Sequence, residues 1–245
     1  MQQRNFTSVT ALALSLMTAA FGLSLIIGLI YFGGYITGAL KVEALLGGSA
    51  PALYGILSCT NPLVNLLELL ALVMLVYDGA QVSPLHRRLT RLALGLFISE
   101  FLLLLVSSGL SIAFTRSGSL FLAQAGYVIQ ILMLTVEITA VGLALAALCS
   151  NGQRAVLLGF MLLSWASGLA SLLMVIVSLK VQTLITLNVR THVALPQVDF
   201  QTGLYPLFSG LSLLGMLGFL VLGFQMAVQA WRVIRERDPI VDAAE

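Results

Sequence analysis

Three glutamates lie inside long apolar stretches of this 245-residue chain: Glu68, Glu100 and Glu137. An ionised carboxylate in such a stretch is costly unless it faces the protein interior, a wet cavity or an opposite charge. No lysine, arginine or histidine lies at a comparable depth in these stretches to neutralise them. Three outcomes are therefore open: the carboxyl groups are protonated, they bind a cation, or they pair with a basic residue of another subunit.

The composition of the chain indicates the surroundings of these glutamates. Hydrophobic residues make up 59% of the chain and charged residues only 9%, whereas soluble domains carry about 25% charged residues. Polar side chains are too few to cover a soluble folded surface, and a disordered chain would need low hydrophobicity and high charge. The net charge is only +2 and the basic residues are scattered, so we expect the lipid bilayer as a partner and no nucleic acid.

Six segments reach the length of about 20 apolar residues that a membrane-spanning helix needs. The alternating pattern of an outer-membrane barrel strand is absent from them, so helices are the only spanning elements that satisfy the backbone. We therefore predict an all-α membrane protein, a bundle of six transmembrane helices that forms a single integral membrane domain over 1–245. The predicted spans are 9–32, 53–77, 89–114, 120–148, 155–179 and 204–231.

The distribution of basic residues predicts how the bundle is oriented. Arginine and lysine are enriched in the cytoplasmic connections of membrane proteins. One side of the predicted bundle carries eight of them: Arg4, Arg87, Arg88, Arg91, Arg154, Arg232, Arg235 and Arg237. The other side carries four: Lys41, Arg116, Lys180 and Arg190. This asymmetry predicts that both termini are cytoplasmic, and we expect the plasma (inner) membrane.

The three glutamates share a predicted depth. They lie nine to eleven residues from the inner ends of the second, third and fourth spans. At a rise of about 1.5 Å per residue this places all three about 13–17 Å from the inner boundary, near the middle of the bilayer. Because short connections make these spans neighbours, we predict that the three glutamates form one layer inside the bundle.

Amide side chains accompany this glutamate layer. Asn65 lies three residues before Glu68 and Gln130 seven residues before Glu137, spacings that place each pair on one helical face. Carboxylate and amide oxygens suit Na⁺, Ca²⁺, Mg²⁺ or a proton relay. Zinc and di-iron centres are not expected, because no histidine or cysteine joins the layer. The predicted ion- or proton-binding residues are Glu68, Glu100, Glu137, Asn65 and Gln130.

Other polar and small residues have simpler interpretations. We expect His86, next to Arg87 and Arg88, to lie in a solvated basic turn at the inner membrane surface. Small residues four apart, such as Ser164/Gly168 and Gly142/Ala146, are interpreted as packing contacts between helices. No histidine or lysine base lies within the bundle to activate a serine, so we expect neither an enzyme nor a bound cofactor.

The favoured function is a small transporter-like or channel-like protein whose glutamate layer handles protons or a hard cation. The alternative is a non-catalytic subunit of a larger membrane complex, in which the acidic layer pairs with basic helices of a partner. A weaker alternative is a permease component driven by a separate ATPase, which rests on architecture alone. Besides the bilayer, the expected partners are other membrane subunits or further copies of this chain.

Overall fold

The computed structural model describes residues 6–36, 51–82, 84–117, 120–149, 152–166 and 204–237. These residues form helices and no strand, so the predicted all-α fold is confirmed for this part of the chain. The helices are α1 (Ser8–Ile36), α2 (Pro51–Val82), α3 (Pro84–Ser117), α4 (Leu120–Leu148), α5 (152–166) and α6 (Leu204–Arg237).

Each predicted span overlaps one of these helices, and α1, α2, α3 and α6 extend beyond the predicted bounds. α6, for example, continues to Arg237, six residues beyond the predicted end of its span, because a hydropathy pattern marks the apolar part of a helix and not its polar ends. The fifth predicted span, 155–179, is described only as far as residue 166, and its remainder lies outside the described residues.

Among the residues that the structure describes, four helices are long and apolar enough to cross a membrane. The candidate spans are Ser8–Ile30 in α1, Leu85–Leu110 in α3, Ile131–Leu148 in α4 and Ser209–Glu236 in α6. They support the assignment of the chain as an integral membrane protein.

Helices that follow one another in the chain pack against each other, and α6 returns to pack against α1. α2 also contacts α4. α5 lies between α4 and α6: Gly142 of α4 faces Met161 of α5, and Gly215 of α6 faces Phe160 and Ser164 of α5. The six helices therefore enclose a common interior.

Hydrogen bonds and contacts between the helices fix their relative directions. The start of α1 meets the end of α6, where the Trp231 indole Nε1 donates to Ser15 Oγ over 3.1 Å. The Cys149 thiol, just after α4, lies 3.7 Å from the Met226 sulfur of α6. One end of the bundle thus contains the starts of α1, α3 and α5 and the ends of α2, α4 and α6. We call it the basic end because it carries Arg87, Arg88, Arg91, Arg154, Arg232 and Arg235.

The buried core lies mainly in the half of the bundle nearest the basic end. Fully buried side chains there include Leu14 and Met17 of α1, Leu75 of α2, Phe97 of α3 and Leu145 of α4. Large apolar side chains also cover the outside of the helices, such as Leu102 and Leu105 on α3. A surface of this kind suits acyl chains rather than water.

The start of α1 is capped and tied to the end of α2. Thr7, the residue before α1, accepts a 3.1 Å hydrogen bond from the Thr10 backbone N–H through its side-chain oxygen, which is the usual bond of a helix N-cap. The Thr7 hydroxyl donates to Asp78 Oδ2 of α2 over 2.5 Å, and the Thr10 hydroxyl donates to the same oxygen. The buried Asp78 carboxylate is therefore satisfied, and its negative charge lies at the favourable end of the α1 dipole.

Two helices approach each other closely at Gly215. A Cβ atom there would lie 2.7 Å from the backbone nitrogen of Ser164 and 2.8 Å from the backbone oxygen of Phe160. One turn before Gly215 on α6, the Ser212 hydroxyl donates a hydrogen bond to the Ser164 carbonyl over 3.4 Å. Because the neighbouring atoms belong to the backbone of α5, only glycine at residue 215 permits this packing.

We predict that Gly215→Ala destabilises the protein by about 1–3 kcal/mol, because the added methyl group forces α5 and α6 apart. The measurement is the unfolding temperature of the detergent-solubilised protein. Gly159→Ala is the matched control, since a Cβ at this exposed position of α5 meets no atom within 4 Å. Equal unfolding temperatures for the two variants would contradict the close contact.

Thr10→Val should destabilise the protein by about 1–3 kcal/mol, because the buried Asp78 carboxylate loses one of its two hydroxyl donors. Thr139→Val on α4 is the control, since the Thr139 hydroxyl donates only to the Thr135 carbonyl of its own helix. Thermal unfolding of both variants in the same detergent tests the contribution of the hydrogen bond between Thr10 and Asp78. An unchanged unfolding temperature for Thr10→Val would refute this contribution.

Candidate functional site

The three predicted glutamates come from three helices that contact one another: Glu68 from α2, Glu100 from α3 and Glu137 from α4. Glu68 is 2% exposed and Glu100 4% exposed, while Glu137 is partly buried. Glu68 is within electrostatic reach of both other carboxyl groups, and Glu100 is within reach of Glu137. The structure therefore brings the three acidic side chains together in the interior of the bundle.

Glu68 and Glu137 line a cavity of about 50 Å³ between the helices. Its walls come from α1, α2, α4, α5 and α6. Two hydroxyl groups, those of Ser24 and Ser164, join the two carboxyl groups as polar lining. The remaining lining residues are apolar: Phe21, Leu134, Ile138, Val141, Met216 and Phe219. The cavity thus presents four polar side chains inside an apolar wall.

Two polar atoms at the cavity have no partner among the described residues. Oε2 of Glu68 and Oγ of Ser164 are both buried without a hydrogen bond, and Ser164 is only 1% exposed. Oε2 of Glu100 is likewise buried and unpartnered in this part of the chain, although Glu100 does not line the cavity. Buried polar atoms are nearly always hydrogen-bonded, so these oxygens point to a small polar ligand or water.

Within the described ranges, no ion pair neutralises the glutamates. The arginines whose side chains are described lie at the basic end of the bundle. Glu68 is ten residues from Asp78 near the end of α2, which corresponds to about 15 Å along the helix axis. In the same ranges, no three histidine, cysteine, aspartate or glutamate side chains are placed to hold a metal ion together. Within the described residues, the negative charge of the glutamates can therefore be neutralised only by protonation of the carboxyl groups or by a bound cation.

The two predicted amide residues are not part of the described cavity wall. Asn65 is partly buried on α2, one turn before Glu68, and does not line the cavity. Gln130 belongs to α4, but its side chain lies outside the described residues. Of the predicted site residues, the structure therefore brings together the three glutamates. The role of the two amide side chains in orienting or coordinating a ligand stays a prediction.

Sequence reasoning missed the two serines of the cavity. Ser164 was interpreted as a packing residue, and it does lie where α5 and α6 meet. One signal could have found it. Ser164 is ten residues after Arg154, a depth of about 15 Å that matches the glutamate layer. No comparable signal distinguishes Ser24 from the other small residues of α1.

The prediction for His86 was wrong. His86 is 3% exposed and lies in the first turn of α3, within electrostatic reach of Asp78, whereas its neighbours Arg87 and Arg88 are exposed. Thr90, one turn later, is also buried and donates to the His86 carbonyl over 2.8 Å. Because α3 already begins at Pro84, the residue that looked like part of a turn is directed inward by the helix.

The geometry of the cavity defines its chemistry. Two carboxyl groups from different helices can exchange protons with a small polar occupant, or two carboxylates can share a cation with the serine hydroxyls. Both uses need an interior position away from lipid, and the burial of Glu68 together with the cavity provides it. The cavity is too small for an organic substrate of drug size, which needs about 300 Å³ or more.

Comparisons of this chain with protein-family models, with curated proteins and with solved structures found no match.

Proposed function

We propose that this protein is a transporter-like or channel-like membrane protein whose glutamate layer binds protons or a hard cation. The observation that carries the proposal is the cavity between the helices in which Glu68 and Glu137 meet without a described positive charge. Such carboxyl groups inside a membrane bundle mark ion and proton pathways.

The proposal includes a topology of six membrane passes with both termini in the cytoplasm of the plasma (inner) membrane. The arginines of the basic end support this orientation, because basic residues accumulate on the cytoplasmic side. Exposed Tyr77 and Trp231 lie at the same end, and aromatic side chains of this kind are common at membrane–water interfaces. The glutamate layer then lies near the bilayer midplane.

The direction of the glutamates favours ion handling over the alternative of a purely structural subunit. A carboxylate that pairs with a basic helix of a partner has to face the outside of the bundle. Glu68 and Glu100 are buried within this single chain, and Glu68 and Glu137 face the cavity. A partner subunit or a second copy of the chain would therefore bind elsewhere on the bundle.

The residues of the layer have different proposed roles. Glu68 and Glu137 bind the ion or proton directly, since they line the cavity. Glu100 acts through its charge, because it is within electrostatic reach of both without lining the cavity. Asn65 and Gln130 orient or coordinate as the sequence predicts.

The proposal is tested by flux through the purified protein in liposomes, with a pH-sensitive dye for protons and separate assays for Na⁺, Ca²⁺ and Mg²⁺. We expect Glu68→Gln and Glu137→Gln each to reduce flux to the level of empty liposomes, because glutamine keeps the shape of the side chain but cannot exchange a proton or carry a charge. Glu236→Gln, at an exposed position near the end of α6, is the matched control and should leave flux unchanged.

Wild-type flux in the glutamine variants of Glu68, Glu100 and Glu137 would refute the proposal. Absence of ion flux through the wild-type protein, combined with a foreign subunit that copurifies in fixed stoichiometry, would instead support the subunit alternative. Size-exclusion chromatography of each variant in mild detergent verifies that a loss of flux is not a loss of folding.

A further inference from the structure

We propose that the cavity is hydrated and that its water connects Glu68 to Glu137, so that the ligand of the glutamate layer is the proton. The transport part of this inference rests on the proposed function, whereas the hydration of the cavity stands on the geometry alone. The proposal assigns a water-binding role to Ser164 and Ser24.

The first argument is the pair of unpartnered oxygens at one cavity. Glu68 Oε2 and Ser164 Oγ are both buried, line the same space and have no hydrogen-bond partner among the residues that the structure describes. They come from two different helices, α2 and α5. A buried water typically makes about three hydrogen bonds to otherwise unsatisfied polar groups, and these two oxygens supply two such partners.

The second argument is that the Ser164 hydroxyl differs in its hydrogen bonding from other hydroxyl groups in the bundle. Serine and threonine in a helix usually donate to a carbonyl of the preceding turn. Ser15, Thr18 and Thr135 do so over 2.7–2.9 Å. Ser164 Oγ makes no such bond, which leaves its hydroxyl available to the cavity.

The third argument is the available space. A water molecule needs about 10–15 Å³ of this kind of cavity volume, so about 50 Å³ accommodates about three waters. The apolar part of the described lining, which includes Phe21 and Phe219 with ring centroids 5.5 Å apart, offers such waters no hydrogen-bonding side chain. We therefore expect the water to lie between the carboxyl and hydroxyl groups.

The same lining favours a proton over a metal cation. Ca²⁺ takes six to eight oxygen ligands, and the four described polar side chains reach the lower limit only if both carboxylates bind through both of their oxygens. Among the described residues, no three acidic, histidine or cysteine side chains are placed to hold a metal ion together. A proton needs only a continuous path of hydrogen bonds. In each transfer the O–H bond of a protonated Glu68 breaks as a new O–H bond forms on water, and that water gives another proton to the Glu137 carboxylate. One proton moves in net terms, and no oxidant or reductant takes part.

Hydration is tested by radiolytic labelling of the full-length protein in ¹⁸O water. The thioether of Met216 lines the cavity, whereas Met226, on the same helix, is buried against Cys149. We expect rapid ¹⁸O incorporation at Met216 and protection of Met226. Ser164→Val, which removes the hydroxyl and fills space, should abolish the labelling of Met216, while Ser108→Val on the exposed face of α3 should not. Equal protection of both methionines in the wild-type protein would overturn the proposal.

The assignment of the proton as the ligand is tested by measuring proton flux through the protein in liposomes. Ser164→Ala should slow proton flux about fivefold, because one hydrogen bond to the water is lost, and Ser164→Thr should restore it. Ser108→Ala is the control, since its exposed hydroxyl donates to Leu104 of its own helix. Flux of Na⁺ that depends on Glu68 while proton flux does not would overturn the proton assignment. A labelled cavity without flux of any ion would refute the proposed function and leave the hydration standing.

Discussion

An acidic side chain inside a membrane has to turn away from lipid, and this constraint orders the structure of the bundle. α2, α3 and α4 each carry one such glutamate, and the three helices are in mutual contact. Glu68 and Glu100 are buried and Glu137 is partly buried, so rotation of one of these helices about its axis would move a carboxyl group out of the interior of the bundle. The closure of the ring by α6 against α1 then confines Glu68 and Glu137 to a common internal space.

Two buried carboxyl groups of α2, those of Asp78 and Glu68, differ in their hydrogen bonding. Asp78 Oδ2 accepts hydrogen bonds from the hydroxyls of Thr7 and Thr10 at the start of α1, so this oxygen has its partners within the chain. Glu68, ten residues earlier on the same helix, retains an oxygen without a described partner. A fully satisfied carboxylate serves packing and orientation, whereas an incompletely satisfied one retains the capacity to bind. This contrast within one helix distinguishes the structural acidic residue from the candidate functional one.

The sequence predicted the features that depend on the length of apolar segments, on the positions of charged residues and on the helical repeat. Long apolar segments predicted the helices, and similar distances from the inner ends, nine to eleven residues, predicted that Glu68, Glu100 and Glu137 would lie together. In the structure they come from three helices in mutual contact. The burial of His86 and the role of Ser164 could not be predicted in this way. In a membrane protein the apolar residues cover both the interior and the outer surface, so hydropathy does not reveal which face of a helix points inward. Cavities depend on the fit between helices, and a one-dimensional pattern contains no information about that fit.

The tie between Thr7 and Asp78 has a consequence for the biogenesis of the protein. Seventy-one residues separate the two side chains, so the contact forms only after the whole of α2 has been synthesised and inserted beside α1. Until that moment the first helix carries two threonine hydroxyls, and the second helix an acidic group, without these partners. Pairing of α1 with α2 brings all three groups together at once, so these side chains favour early contact between the two helices during folding.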